Sequence, residues 1–80
     1  MTITTMKIEA IKIKEWCDTN LSPVAWQRIA VKVSPEFRGT GIKLGDLLNP
    51  TEAILLDDNG YKIIKSAVEE TYNVSMTIMV

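Results

Sequence analysis

The C-terminal third of the chain carries two hydrophobic patterns of different period, and together they constrain the fold more than any other feature. Between residues 61 and 72 the apolar side chains recur at the three- and four-residue spacing of one helix face. Residues 74–80 then alternate apolar and mostly polar side chains, as in a strand with one covered face. The helix and the strand each have one apolar side, and these sides are buried by packing against each other. The sequence therefore predicts an α+β domain. We expect its main helix, residues 60–72, to pack on one face of a sheet.

The remaining strands are predicted in the N-terminal half. Residues 2–15 alternate apolar and charged side chains with a one-residue slip, which a β-bulge absorbs. Residues 25–34 alternate in the same way, and β-branched isoleucine and valine favour strand in both segments. We therefore expect a long N-terminal hairpin, which joins the C-terminal strand in an antiparallel-rich sheet.

A helical interpretation of the same two segments stays open. The apolar residues from Met6 to Cys17 include several at helical spacing, and Ser22 with Pro23 is typical of a helix start. If both segments are helical, residues 8–33 are two helices joined by a short turn. A DNA-reading helix-turn-helix has this organisation.

Length and composition bound the organisation of the chain. Eighty residues accommodate one core, so residues 1–80 are expected to form a single domain. A hydrophobic content of 46% and a charged content of 24% are those of a globular protein and not of a disordered one. The sequence has no run of 18 apolar residues, so we expect no membrane span. Its first ten residues lack an apolar signal core, which predicts a cytoplasmic protein.

The residue types that usually carry catalysis are scarce. The chain has no histidine, which removes the usual general base and the commonest zinc ligand. Cys17 is its one cysteine, so a thiol–imidazole dyad, an intrachain disulfide and a cysteine metal cluster are excluded. Paired carboxylates occur only as neighbours, at 57–58 and 69–70, where the side chains point apart. We expect no catalytic residue, no metal and no cofactor, and thus a protein that is not an enzyme.

A glycine-containing connector follows the second predicted strand. Its sequence, Val-Ser-Pro-Glu-Phe-Arg-Gly-Thr-Gly-Ile over residues 33–42, resembles the acetyl-CoA-binding turn of the GNAT family of N-acetyltransferases. Arg38 and Gly41 match the first two fixed positions of that turn, whereas Lys43 stands where the family has glycine or alanine. The resemblance implies a strand–turn–helix in which backbone amides hold a pyrophosphate. Minimal acyl-CoA binding is therefore one alternative function.

Basic and aromatic residues of the predicted hairpin indicate a second alternative. Lys12, Lys14, Arg28 and Lys32 would share one solvent face of the hairpin, with Trp16 and Trp26 near its end. Single-stranded nucleic acid is bound by such sets, since cations contact phosphates and aromatic rings stack on bases. The overall charge of −1 weighs against this hypothesis.

Binding of another protein is the function that we predict from the sequence. A short chain without catalytic groups fits a regulator or inhibitor of a larger assembly, of the kind that phages also encode. Its basic residues concentrate in the first half and its acidic residues in the second, which also suits self-association. Aromatic and basic residues in the expected loops and on the open sheet face are typical interface anchors. The predicted partner-binding residues are Lys12, Lys14, Trp16, Trp26, Phe37 and Arg38.

Overall fold

The computed structural model describes residues 7–77, and most of them are helical. In chain order the elements are β1 (Ile8–Glu9), α1 (Ala10–Asn20), α2 (Pro23–Val33), a 3-10 segment (Ser34–Thr40), α3 (Leu44–Leu48), β2 (Leu55–Leu56) and α4 (Asp58–Tyr72). Helices and a small antiparallel sheet together confirm the predicted α+β class. No helix in the described part of the chain is both long enough and apolar enough to cross a bilayer.

The N-terminal hairpin prediction is wrong, because both of its segments are helices. Only Ile8–Glu9 is a strand within the described part of residues 2–15, and residues 2–6 lie outside the described range. In α1 the buried residues are Ala10, Ile13 and Cys17, which follow the helical spacing. Burial of this stripe against the rest of the core outweighs the small β preference of isoleucine.

The start of α2 shows why its segment is helical and not extended. The Ser22 hydroxyl accepts a hydrogen bond from the Ala25 backbone N–H at 3.1 Å, and Pro23 occupies the first turn, where no N–H is needed. This local cap fixes the direction in which the chain leaves the two-residue connection after α1.

Helix α2 is the central element of the fold. It packs against α1, α3, α4 and the 3-10 segment. Its core face is almost completely buried and consists of Ala25, Trp26, Ile29, Ala30 and Val33. Because its neighbours cover this side, α2 is held rigidly and its opposite side is presented to solvent.

The sheet is smaller than predicted and has different strands. It consists of β1 and β2 in antiparallel register, with Ile8 opposite Leu56. The Ala10 N–H extends the ladder by donating to the Ile54 carbonyl at 2.9 Å. The strand predicted over residues 74–80 is not found in its described part, residues 74–77, and residues 78–80 lie outside the described range.

Helix α4 confirms the clearest sequence prediction. The Asp57 carboxylate caps its start by accepting from the Gly60 N–H at 2.8 Å, and Asn73 ends it in the left-handed conformation, with φ 53°. Gly60 lies where a Cβ atom would come within 3.1 Å of the Phe37 ring, so glycine permits the close approach of α4 to the 3-10 segment. Ile64 and Val68 then continue the buried stripe.

Candidate protein-binding surface

Two of the predicted partner-binding residues belong to the core. Trp26 and Phe37 each expose only 1% of their surface, so the exposure expected of them is not found. The Trp26 indole Nε1 donates to the Leu47 carbonyl at 2.8 Å, which satisfies its polar atom inside the protein. The prediction placed these aromatics in loops or on an open sheet face, but residues 23–40 are helical, and the side chains point inward.

The other four predicted residues lie at or near the surface but are differently engaged. Trp16 is half-buried on α1, and Arg38 is exposed at the end of the 3-10 segment. The ammonium of Lys12 lies 3.4 Å from Glu9, and that of Lys14 lies 2.7 Å from Asp18. Neighbouring carboxylates therefore offset both lysine charges.

The basic hairpin surface that would bind single-stranded nucleic acid is not formed. Lys12 and Lys14 are two residues apart on α1, so their directions differ by about 160° around the helix axis. Arg28 and Lys32 belong to a different helix, α2. A continuous cationic strip with flanking tryptophans, as the sequence predicted, therefore does not exist.

The structural context of an acyl-CoA turn is also missing. The element before the connector is helix α2, not a strand, and residues 34–40 form a 3-10 helix. Gly41 does adopt a positive φ of 83°, but it lies at the C-terminal end of the 3-10 helix, where a left-handed residue ends the segment. The following helix α3 has five residues. The strand–turn–helix implied by the resemblance is therefore wrong for this chain.

The prominent exposed surface of α2 was not anticipated from the sequence. Its members lie on the side opposite the core and follow helical spacing. We call this surface the α2 face, and it consists of Val24, Gln27, Arg28 and Val31. Val24 exposes 54% and Val31 exposes 57% of its surface, and the two lie on the same side of α2. Reading residues 23–33 as a helix would have identified this stripe.

The charge of the α2 face is positive. Helix α2 carries Arg28 and Lys32 and has no acidic residue. Lys32 donates to the Thr71 hydroxyl at 3.2 Å and so leans towards α4. Within residues 7–77 Arg28 has no ion pair or side-chain hydrogen bond, which leaves its guanidinium available to a partner.

Within residues 7–77, open grooves lie beside α4 and beside β2. One, of about 320 Å³, is lined by α4 residues together with Lys32 and Glu36, and its charges are mixed. The other, of about 370 Å³, lies beside β2 and is mainly apolar, with Phe37, Ile42 and Ile54 among its lining residues. Neither groove contains a nucleophile beside a base. No cluster of three or more metal-ligating side chains occurs within the described ranges.

Cys17 is the remaining candidate for covalent chemistry, and its environment disfavours reaction. The side chain is fully buried on α1. Burial raises the pKa of the Cys17 thiol from 9.0 to about 11, and the neighbouring Asp18 carboxylate adds to the effect. At neutral pH the thiol is therefore protonated and enclosed, as in a structural cysteine.

This pKa predicts how stability depends on alkaline pH. The folded state favours the neutral thiol, so Cys17 contributes fully to the free energy of unfolding below pH 9.0. Between pH 9.0 and about 11 only the unfolded chain loses the thiol proton, and this contribution is therefore lost as the pH rises. The total loss is on the order of 2 kcal/mol. The loss is measured by urea unfolding of the wild type and of Cys17→Ala at several pH values in this range. Lysine and tyrosine titrate in both proteins, so their effect cancels in the difference between the two free energies of unfolding. A constant difference would contradict the prediction.

Comparison of the chain with known protein families, curated proteins and solved structures finds no match.

Proposed function

We propose that this protein is a non-catalytic binding domain that recognises another protein through the α2 face. The observation that carries the proposal is the pair Val24 and Val31, each more than half exposed and two helical turns apart. Apolar side chains on a rigid helix lose solvent contact on binding and pay little conformational entropy, because the backbone is already ordered. Arg28, between them, adds a residue type that is enriched at interface centres.

The rigidity of α2 supports this role. The same helix places Trp26 and Ile29 in the core, and Trp26 ties it to α3 through the Leu47 carbonyl. A surface on such an element is pre-organised, so binding does not require the domain to rearrange.

Site-directed photocrosslinking tests the proposal. A benzophenone maleimide is attached to Gln27→Cys, and the labelled protein is irradiated in an extract of cells that naturally make it. Cys17 is buried and its thiol is protonated, so the introduced cysteine is labelled selectively. The matched control carries the label at Lys62→Cys, an exposed position on α4.

We expect a discrete protein adduct from position 27 and none from position 62. The adduct should disappear when Val24→Ser and Val31→Ser are combined with the label, because the apolar contact is lost. The double serine variant should retain its fold, as judged by circular dichroism, since both sites are on the surface. Equal adducts from both positions, or an adduct that survives the serine substitutions, would refute the proposal.

DNA binding by the α1–α2 pair is a second candidate, favoured by one observation. The two helices are joined by the two-residue connection Leu21–Ser22, and the exposed side of α2 has two cations and no acid. Strong duplex binders make about six to ten phosphate contacts, far more than these two cations provide. Retention of a DNA duplex that falls steeply with salt, and that Arg28→Ala weakens, would favour this candidate over protein binding.

A further inference from the structure

We infer that the partner segment recognised by the α2 face is an amphipathic helix with acidic flanks, contributed by a different protein. This inference rests on the proposed function and specifies the chemistry of the partner. Three features of the surface lead to it, namely the spacing of its apolar residues, the sign of its charge, and the consequences of pairing it with a second copy of itself.

The spacing of the two valines selects a helical partner. Val24 and Val31 are seven positions apart in the sequence, which is about 10.5 Å along the axis of α2. Apolar residues seven apart on a second helix have the same spacing, and they pack against this pair in the manner of a heptad seam. An extended peptide repeats its same-side residues about every 6.7 Å, so it cannot match both valines.

The charge of the face selects acidic flanks. Arg28 lies between the valines in the helical order, and α2 contributes no carboxylate to offset it. A glutamate or aspartate beside the apolar stripe of the partner is therefore paired on binding, whereas a lysine there is repelled. A nucleic-acid backbone supplies the negative charge but not the apolar stripe that covers the valines.

A second copy of this chain does not fit the face. If two α2 faces pair about a two-fold axis, the Arg28 residues of both copies lie close together near the centre of the contact, and like charges repel. The acidic helix α4 of another copy is no better suited. Its exposed side is polar and offers no apolar stripe, since its members are Asp58, Asn59, Lys62, Ser66 and Glu70.

Three synthetic helical peptides of about 20 residues test the inference, since this length supports an Ala-rich helix. The first has leucines at heptad spacing flanked by glutamates, the second replaces the glutamates with lysines, and the third keeps the glutamates but replaces the leucines with serines. Binding to the full-length chain is measured by fluorescence anisotropy with labelled peptide. The protein variants are Arg28→Glu and, as the matched control, Lys62→Glu on the exposed side of α4.

We expect the glutamate–leucine peptide to bind at least about tenfold more tightly than either of the other two. Arg28→Glu should weaken it by a similar factor and should strengthen the lysine peptide, whereas Lys62→Glu should change neither. Equal binding of the glutamate and lysine peptides overturns the inference, as does no binding by any peptide. So does binding of single-stranded or duplex DNA in preference to the acidic peptide.

The outcomes separate this inference from the proposed function. If crosslinking from position 27 succeeds and depends on the valines while the peptides fail, protein binding stands and the acidic helix is wrong. If both fail, the α2 face is not a binding surface. Sedimentation equilibrium of the protein alone gives the result for a second copy, and a dimer that the combined Val24→Ser and Val31→Ser substitutions abolish would contradict the inference.

Discussion

Replacing Trp26 with alanine is expected to lower the free energy of unfolding by about 3–5 kcal/mol. Trp26 lies near the start of α2 and exposes only 1% of its surface, and its indole Nε1 donates to the Leu47 carbonyl at 2.8 Å. Truncation leaves a cavity between α2 and its neighbours and removes the partner of a carbonyl at the end of α3. A chain of this length typically has about 4–12 kcal/mol of stability, so the variant is expected to be marginally folded or unfolded.

Urea unfolding followed by far-UV circular dichroism measures this effect without relying on the lost fluorophore. Trp26→Phe serves as the matched variant, because it keeps most of the ring volume but leaves the Leu47 carbonyl unpaired. A loss of about 1–3 kcal/mol is expected for it. If Trp26→Ala unfolds at the same urea concentration as the wild type, the placement of this side chain in the core is wrong.

Phe37→Ala is expected to cost a similar amount, about 3–5 kcal/mol. The Phe37 ring is buried and lies directly over Gly60, where α4 begins. Removing it separates the 3-10 segment from α4 and opens a cavity beside Leu56. Thermal unfolding should show a midpoint lowered by more than about 10 °C, since 1 kcal/mol corresponds to about 4–8 °C in a domain of this size.

The adjacent residue provides the control. Arg38 is exposed, so Arg38→Ala is expected to change stability by less than about 0.5 kcal/mol. A Phe37→Ala variant with unchanged midpoint and impaired partner binding would instead make Phe37 an interface anchor, as predicted from the sequence. The Trp26 and Phe37 variants thus decide whether these aromatics act through stability or through recognition.

The prediction that Trp26 and Phe37 are exposed depended on the predicted N-terminal hairpin, and both predictions are wrong for the same reason. Residues 25–33 contain alternating apolar residues and also a helical stripe, because Ile29 and Val33 satisfy either period. If residues 25–34 formed a strand, Trp26 would lie near an exposed end of the hairpin and Val31 would lie on the covered face of the sheet. With the helix, Trp26 turns into the core and Val31 turns to solvent. Choosing the strand period instead of the helical one therefore exchanged the buried and the exposed side chains of this segment.

Several elements were predictable from local sequence alone. The stripe from Tyr61 to Tyr72 follows the helical period, and Asp57 and Asn73 mark the two ends of the helix. The absence of histidine and the single cysteine are properties of composition and do not depend on the fold. In each case the information lies within a few neighbouring residues.

The sequence by itself determined helix α4 with its caps and the scarcity of catalytic side chains, because local periodicity and composition suffice for these. The α+β class was also predicted correctly, but from a hairpin and a C-terminal strand that the described residues do not form, whereas the sheet pairs Ile8–Glu9 with Leu55–Leu56. The tertiary structure decided between the strand and helix interpretations of residues 10–33, for which Ser22 and Pro23 supplied the local signal of a helix start. Isoleucine and valine prefer strand by a fraction of a kcal/mol per residue, and burial of the core faces of α1 and α2 reverses that preference. The α2 face follows from the same packing, since a side chain is left exposed only after its helix has found its neighbours.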